Sequence, residues 1–197
     1  MTRIISGAAG SLRLEVPKSG TRPTSDRVRE AIFSTLGSWD LVERTRVLDL
    51  YAGSGALGLE AASRGATEVT LVEKHPQAAE TAKRNARTVL TAFARTPDAT
   101  PTIDVVRQSV QTFLTAMAER PTPPTWDVVM LDPPYDLTEA EIAENLAAVV
   151  PLLAPGSAVL VERSTRTPQP AWPAGITLIR EKRYGETALW WAEPEVG

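Results

Sequence analysis

The sequence predicts an α/β fold in which a mostly parallel sheet is covered by helices on both faces. Two observations predict it. Short β-branched runs alternate with longer helix-like stretches from about residue 46, and a glycine-rich turn joins the first of these runs to a helix. Strands and helices that alternate in this way form right-handed crossovers and hence a parallel sheet. The composition, 43% hydrophobic and 23% charged over 197 residues, is typical of a compact globular protein.

Five apolar runs predict the strands of the parallel part of the sheet, and helices are predicted between them. The strands are predicted at 47–50, 69–72, 103–106, 126–131 and 157–162. The helices are predicted at 57–62, 77–90, 110–117 and 139–153, and the acidic first turn of the last one suits its dipole.

The two ends of the chain depart from this alternation. Residues 176–179 and 187–191 predict a C-terminal antiparallel hairpin, since turn-forming residues separate two apolar runs. Residues 3–5 and 12–14 predict a similar hairpin at the N-terminus. Both ends are therefore expected to add antiparallel strands to the fold.

An amphipathic helix centred on Ile32 is predicted after the N-terminal hairpin, with Ser25 or Asp26 as its cap. We therefore divide the chain into an N-terminal β-hairpin extension, residues 1–20, and a main domain, residues 21–197. The division follows the point at which the hairpin pattern gives way to helix and strand alternation.

The composition removes several kinds of chemistry. The chain has no cysteine and one histidine, His75, so disulfides, thiolate nucleophiles, zinc fingers and multi-histidine metal sites are excluded. The longest apolar stretch, residues 146–154, is interrupted by Pro151 and is too short to cross a bilayer. The N-terminus lacks the continuous apolar segment of a secretory signal. We therefore expect a cytoplasmic protein that needs neither a metal nor a membrane.

The net charge of −3 is unevenly distributed along the chain. Residues 1–30 carry six basic and three acidic side chains, so the rest of the chain is more acidic than the total suggests. A basic N-terminal arm on an acidic body suits a local contact with a polyanion such as nucleic acid. A solvated terminal segment with no partner is the alternative.

A glycine-rich turn lies between the first predicted strand of the parallel sheet and the helix that follows. Gly53, Gly55 and Gly58 form a GxGxxG pattern, which allows close backbone approach, and the helix N-terminus favours polar or anionic ligand groups. Glu73 ends the next strand, 20 residues after Gly53, where a carboxylate can accept hydrogen bonds from both hydroxyls of a ribose. The combination predicts a site for an adenosine-containing ligand.

Asp49 decides which adenosine-containing ligand is favoured. It precedes Gly53 by four residues and directs a negative charge toward the turn. That charge repels the pyrophosphate of a dinucleotide but attracts the ammonium group of a methionine moiety. S-adenosylmethionine has a ribose, a sulfonium and an ammonium but no phosphate, so the sequence favours it over NAD. An Asp49 that only caps a turn is the alternative.

The sequence Asp132-Pro133-Pro134-Tyr135 follows a strongly apolar strand, so it should project from the edge of the sheet where open α/β folds bind ligands. The prolines stiffen the turn and leave the carbonyls of Asp132 and Pro133 as acceptors. An aspartate oxygen and a carbonyl can hold both hydrogens of an exocyclic amino group while its nitrogen attacks, and Tyr135 can stack on a base. The motif predicts methylation of a nucleobase amino group. An ordinary proline-rich turn is the alternative.

These motifs resemble the RsmD family of bacterial small-subunit rRNA guanine-N2 methyltransferases. The resemblance is carried by residues 3–7, 21–33, 49–61, 72–74, 132–135 and 183–187. Residues 21–33 distinguish the RsmD family from amino-methyltransferases in general. It implies a Rossmann-like class I methyltransferase with a mostly parallel seven-stranded sheet and an N-terminal β-hairpin extension. It also implies transfer of a methyl group from S-adenosylmethionine to N2 of one guanine of 16S rRNA, with S-adenosylhomocysteine as the product. The substrate would be an assembled or assembling small ribosomal subunit, and the enzyme a monomer with no obligate protein partner.

The resemblance also implies roles for individual residues. The cofactor residues would be Asp49, Gly53, Ser54, Gly55, Glu73, Lys74, Gln108 and Ser109. The catalytic residues would be Asp132, Pro133, Pro134 and Tyr135. The RNA-binding residues would be Arg3, Arg13, Arg22, Arg27, Arg29 and Arg183. The chain departs from many related enzymes at Gln108-Ser109, where they carry an acid that holds the adenine, so an amide, a hydroxyl or the backbone would serve here.

Three other functions stay open at the level of sequence. An N6-adenine methyltransferase acting on DNA or RNA would use the same 132–135 motif. A catalytically silent RNA-binding or ribosome-assembly factor would keep the fold. An NAD-linked oxidoreductase is disfavoured by Asp49 and by the short chain. The absence of cysteine argues against the covalent route to methylation of pyrimidine ring carbons.

Overall fold

The structure is a computed structural model that describes residues 2–16, 25–96 and 99–195. Its strands are β1 Thr2–Arg3, β2 Arg13–Leu14, β3 Arg46–Leu50, β4 Glu68–Val72, β5 Thr102–Val106, β6 Trp126–Leu131, β7 Leu153–Ser164, β8 Ile176–Tyr184 and β9 Thr187–Pro194. Its helices are α1 Asp26–Ser38, α2 Ala56–Ser63, α3 Pro76–Phe93, α4 Val110–Ala118 and α5 Glu139–Val149, and a short 3-10 helix, Val150–Leu152, follows α5.

Strands β3 to β9 form one seven-stranded sheet with the order β5-β4-β3-β6-β7-β9-β8. The first five strands in this order pair in parallel, and β9 runs antiparallel to both of its neighbours, β7 and β8. The mostly parallel seven-stranded sheet is therefore confirmed. Strands β3 and β6 are neighbours although β4 and β5 lie between them in sequence, and such a switch point is where open α/β sheets bind ligands.

Helices cover both faces of the sheet because the inner strands are apolar on both sides. Along β3, Val47 packs with α1, α2 and α3 on one face, whereas Leu48 and Leu50 pack with α4 and α5 on the other. Strands buried on both faces have nearly continuous apolar sequences, as β3 and β6 do. Among the residues described, no helix is both long enough and apolar enough to cross a membrane.

The N-terminal hairpin, formed by β1 and β2, packs against the main domain. Ile4, Ala9 and Leu14 are buried in the same hydrophobic core as α1, α2 and α3. The turn of the hairpin is fastened to α2, where the Glu60 carboxylate accepts hydrogen bonds from the backbone N–H groups of Ile5 and Ser6. The boundary that we place at residue 20 lies outside the described residues, so the domain division stays a prediction.

The predicted elements are present, and the largest differences in their bounds are at β8 and α5. The sequence predicts a strand over 176–179, but β8 continues to Tyr184 because residues 180–184 also pair with β9. The sequence predicts a helix over 139–153, but α5 ends at Val149 and residue 153 already begins β7. This prediction was wrong because Pro151 has no N–H to continue the helical hydrogen bonds, so the chain forms a 3-10 turn instead. At α1, Ser25 is the cap, since its side chain accepts a hydrogen bond from the backbone N–H of Val28.

Candidate active site

Parallel strands bring the sequence-predicted site residues to one end of the sheet, the edge formed by the carboxyl ends of the strands. Strands β3, β4, β5 and β6 all end at this edge, followed by residues 51–55, 73–75, 107–109 and 132–138 respectively. Leu50 and Leu131 are paired at the ends of β3 and β6, which places the glycine-rich turn beside residues 132–135. The fold alone therefore brings segments from four parts of the chain into one site.

Asp49 lies at the bottom of the site with only 2% of its surface exposed. Its Oδ2 accepts a hydrogen bond from the backbone N–H of Gly58 over 2.9 Å. Burial raises the pKa of Asp49 from its ordinary value to about 7. The Gly58 N–H opposes that shift, while the negative charges of Asp132 and Glu73 add to it. A positively charged ligand group at this position would offset the repulsion and favour the ionised form of Asp49.

Gly58 makes the close packing around Asp49 possible. A Cβ atom at residue 58 would lie 2.3 Å from the Leu71 Cδ2 and 3.2 Å from the Asp49 Cβ. A side chain at residue 58 would therefore press on Leu71 and on Asp49 itself, so glycine favours the close approach of α2 to β3 and β4 that brings the Gly58 N–H to the carboxylate. Gly55, which caps α2, adopts a φ of 80°, which is also a conformation that favours glycine.

Glu73 connects the glycine-rich turn to the end of β4. Its Oε2 accepts a hydrogen bond from the Gly53 N–H over 2.9 Å, and its Oε1 accepts one from the His75 N–H over 2.7 Å. These bonds fix the orientation of the carboxylate. Each carboxylate oxygen can accept more than one hydrogen bond, so both oxygens keep capacity for the hydroxyls of a ribose.

Residues 132–135 form the other wall of the site. The backbone N–H of Asp132 lies 3.5 Å from the carbonyl oxygen of Leu50, which links this segment to the end of β3. Asp132 is half-buried and Pro133 is buried, whereas Pro134 is exposed. The Tyr135 side chain is 75% exposed. An exposed aromatic ring beside a partly accessible carboxylate is an arrangement that can hold a planar base.

A hydrogen bond between two polar side chains joins the glycine-rich turn to α5, and sequence reasoning missed it. The hydroxyl of Tyr51 accepts a hydrogen bond from the Asn145 Nδ2 on α5 over 2.6 Å, and burial raises the pKa of Tyr51 to about 12. Tyr51 adopts a φ of 65°, a left-handed conformation uncommon for a side chain of this size. Arg163 on β7 pairs with Glu139 at the start of α5. The sequence could have pointed to Tyr51 only through its position between Asp49 and Gly53, because its partner Asn145 is 94 residues away.

Comparison with known proteins agrees with this geometry. The family model described as "Conserved hypothetical protein 95" matches residues 2–193. The chain belongs to this family. The resemblance to RsmD is thereby confirmed, since the curated protein "Ribosomal RNA small subunit methyltransferase D" of Escherichia coli (strain K12) is 36% identical over 187 residues. The match covers 94% of this chain and 86% of that protein.

Solved structures support the same fold for this member of the family. A structure of a hypothetical protein from Thermus thermophilus aligns with a TM-score of 0.79 and 32% identity, covering 97% of this chain and 98% of that one. The 16S rRNA N2 G1207 methyltransferase RsmC of T. thermophilus, solved with AdoMet and guanosine, aligns with a TM-score of 0.62 and 21% identity, covering 90% of this chain and 44% of that one. This second likeness shows the fold, which is that of class I methyltransferases.

The remaining cofactor residues that the RsmD resemblance implies occupy different environments. Ser54 is buried, and its carbonyl oxygen accepts a hydrogen bond from the Asn85 side chain. Lys74 and Gln108 are exposed at the edge of the sheet. Ser109 caps α4, where its Oγ accepts a hydrogen bond from the Thr112 N–H over 3.1 Å. The Ser109 hydroxyl also donates to the Thr112 Oγ1 over 2.7 Å, so its one hydrogen is already engaged. We therefore expect Gln108 rather than Ser109 to hold an adenine.

The arginines expected to bind RNA do not all face solvent in this family member. Arg3, Arg13, Arg27 and Arg183 are exposed, whereas Arg22 lies outside the described residues.

Arg29 has none of its surface exposed, so its guanidinium lies where no phosphate can reach it. Its Nη2 pairs with Asp26 and donates to the carbonyl oxygen of Arg3. The structure thus corrects the prediction for Arg29, which holds the hairpin against α1.

Proposed function

We propose that this chain transfers the methyl group of S-adenosylmethionine to the N2 amino group of a guanine in 16S rRNA. The substrate would be an assembled or assembling small ribosomal subunit, and the enzyme would act as a monomer in the cytoplasm. The curated RsmD relative that matches nearly the whole chain is named as a methyltransferase of small-subunit rRNA, which supports this class of substrate.

One observation carries the proposal: three carboxylates, one on β3 and one directly after each of β4 and β6, lie beside the glycine-rich turn where these strands end. The negative charges of Asp132 and Glu73 both raise the pKa of Asp49, so the three groups lie close enough to interact. The ammonium and sulfonium groups of S-adenosylmethionine would relieve this repulsion, whereas a pyrophosphate would increase it. The residues present therefore fit this methyl donor better than a dinucleotide.

Each side chain of the proposed cofactor site has a distinct task. Asp49 would bind the ammonium group, and the carboxylate of Glu73 would accept hydrogen bonds from the ribose hydroxyls. Gln108 would contact the adenine. When bound, S-adenosylmethionine supplies a methyl group on a positively charged sulfur, which is an excellent leaving group.

Residues 132–135 would position the nucleophile. The N2 lone pair of guanine is delocalised into the ring, so the amino group needs orientation and charge stabilisation to attack. The Asp132 carboxylate and the Pro133 carbonyl would accept its two N–H hydrogens, and Tyr135 would stack on the base. The Asp132 carboxylate would lie beside the positive charge that develops on N2 as the N–C bond forms and the bond between the methyl group and its donor breaks. N2 would then release one proton to solvent.

The test is methyl transfer to small subunits that lack the modification. We expect isotope label from S-adenosylmethionine to appear as N2-methylguanosine at one position of 16S rRNA, located by mass spectrometry of nuclease fragments. Asp132→Ala should reduce the rate at least hundredfold while leaving the affinity for small subunits largely unchanged. The matched control is Asp136→Ala, which removes the same charge from an exposed residue of the same loop.

The outcomes separate the alternatives. Label in N6-methyladenine would show that the chain is an adenine methyltransferase. Subunit binding without any methyl transfer would identify an assembly factor. Equal rates for the Asp132→Ala and Asp136→Ala variants would refute the role proposed for Asp132.

A further inference from the structure

A cleft separates the N-terminal hairpin from helix α3, away from the residues proposed for catalysis. It encloses about 410 Å³, and its lining includes Ala8, Leu12, Thr88, Thr91, Ala92 and Arg95. Helix α3 begins at the edge of the sheet that carries Glu73 and runs toward the opposite edge, so the cleft extends down the side of the molecule. None of the motifs in the sequence points to it.

Basic side chains lie on α3 and directly after it, and one of them, Arg95, lines the cleft itself. Lys83, Arg84 and Arg87 lie on α3 and Arg95 follows it, whereas Glu80 is the single acidic residue of the helix. This local excess of positive charge contrasts with the net charge of −3 for the whole chain.

Two of these arginines are available to a partner. Arg84 pairs with Glu15 of the hairpin segment, and Lys83 pairs with Glu80. Arg87 and Arg95 are exposed, and neither forms an ion pair with a carboxylate within residues 2–16, 25–96 and 99–195. Their guanidinium groups can therefore bind an anionic partner without breaking an ion pair of this part of the fold.

The hairpin wall is also basic on its outer side. Arg3 and Arg13 occupy opposite positions in the β1–β2 pair, and both are exposed. Arg3 and Arg13 line a second pocket together with Asp26, and Arg3 also pairs with Asp26, so both lie outside the cleft. Arg95 lines the cleft, and Arg87 lies one helical turn before Thr91, which lines it as well. The cations that can meet a phosphate backbone at the cleft are therefore those on α3 and directly after it.

We propose that the cleft binds the sugar-phosphate backbone of the RNA substrate, with α3 as a second RNA-binding wall opposite the hairpin; this inference rests on the proposed function. Arg87 and Arg95 bind phosphates. The hydroxyls of Thr88 and Thr91 donate to the helix carbonyls of Arg84 and Arg87, and each keeps lone pairs that can accept a hydrogen bond from a ribose 2′-hydroxyl. Phosphate contacts of this kind position the substrate without reading its sequence.

The test measures how binding to unmethylated small subunits depends on salt. The variant is Arg87→Gln/Arg95→Gln, and the control is Arg120→Gln/Lys182→Gln. The control changes the net charge equally at exposed residues after α4 and on β8. Because each phosphate contact releases counterions, the slope of log Kd against log salt concentration should fall by about 1 to 2 for the variant and stay unchanged for the control. Affinity for S-adenosylmethionine should be the same in all three proteins.

The possible outcomes distinguish a failure of this inference from a failure of the proposed function. If the unmodified protein methylates its substrate and the variant has the same salt slope as the control, the cleft does not bind RNA and only this inference fails. Weaker binding with an unchanged slope also refutes it, since the lost contact would be with a ribosomal protein rather than phosphate. If the unmodified protein transfers no methyl group, the proposed function itself fails.

Discussion

Asp49 combines burial, a single backbone donor and two neighbouring carboxylates, and this combination has a measurable consequence for stability. Burial raises its pKa in the folded protein from 3.8 to about 7. The folded state therefore holds a proton that the unfolded state releases, and the stability that this proton contributes is lost as pH rises toward and through 7. The side chain that we propose for binding the ammonium group thus weakens the fold at neutral pH.

The first prediction follows from this loss of stability with rising pH. Asp49→Asn keeps an oxygen that can accept from the Gly58 N–H but cannot ionise. The thermal midpoint of the variant minus that of the unmodified protein should increase by roughly 5 °C or more when the pH is raised from 5 to 8. Calorimetry at both values measures this. Its affinity for S-adenosylmethionine should fall at least tenfold at pH 8 because the ammonium group loses its counter-charge. A midpoint difference that does not change with pH would contradict the assignment.

Tyr51 supports a second prediction at the same scale. Tyr51→Phe leaves the buried Asn145 amide without its acceptor, which costs about 1–3 kcal/mol, and it releases the turn that joins β3 to Gly53. We expect a lower thermal midpoint and a kcat for methyl transfer that falls severalfold. The double variant Tyr51→Phe/Asn145→Leu removes both partners, so it should be less destabilised than the sum of the single variants. Additive effects would show that the two side chains are not coupled.

The positions of site residues were predictable from sequence only where the pattern is local. Asp49 and Glu73 stand at fixed distances from Gly53, so their spacing was enough to propose them, and both lie where the parallel strands end. Arg29 has the same local signature as an exposed arginine, and its burial depends on the packing of the hairpin against α1. Tyr51 was missed for the same reason, because its partner is on α5.

Whole elements were easier to predict than residue roles. The period of apolar residues distinguishes the strands from the helices, and the order of elements implies the parallel sheet. The end of α5 was misplaced because the apolar residues continue from the helix through Pro151 into β7. The packing of the hairpin against α2 could not be predicted, because it depends on bonds between residues more than 50 positions apart.

Gly7 gives a third prediction, at the scale of the hairpin. It has a φ of 85°, and a Cβ there would lie 1.8 Å from the carbonyl oxygen of Ser63. Gly7→Ala must therefore displace the turn from α2 and should cost about 1–3 kcal/mol of unfolding free energy. Methylation of small subunits should fall more than cofactor affinity does, because the hairpin carries Arg3 and Arg13. Gly10→Ala, in the same turn with its nearest contact at 3.1 Å, is the control for denaturant titration. Equal costs for the two variants would contradict the prediction.

On the scale of the whole molecule, the hairpin and the main domain share one core. Ile4 and Leu14 pack in the same cluster as residues of β3, β4 and the three helices on that face of the sheet. The basic surface of the hairpin is thus attached rigidly to the fold that forms the candidate active site. Substrate held by the hairpin and methyl donor held by the glycine-rich turn would keep a fixed separation, which is a condition for catalysis by positioning.

The fourth prediction tests whether the hairpin and the main domain unfold together. Ile4 is fully buried, so Ile4→Ala should cost about 2–5 kcal/mol and lower a single thermal transition by roughly 4–20 °C. Ile179→Ala makes the same substitution at a residue that is 40% exposed, and its midpoint should change by only a few degrees. Calorimetry and tryptophan fluorescence should report the same midpoint for Ile4→Ala, because the buried Trp191 lies in the cluster that contains Ile4. Two separate transitions, or an early calorimetric transition that fluorescence does not detect, would show that the hairpin unfolds independently of the sheet.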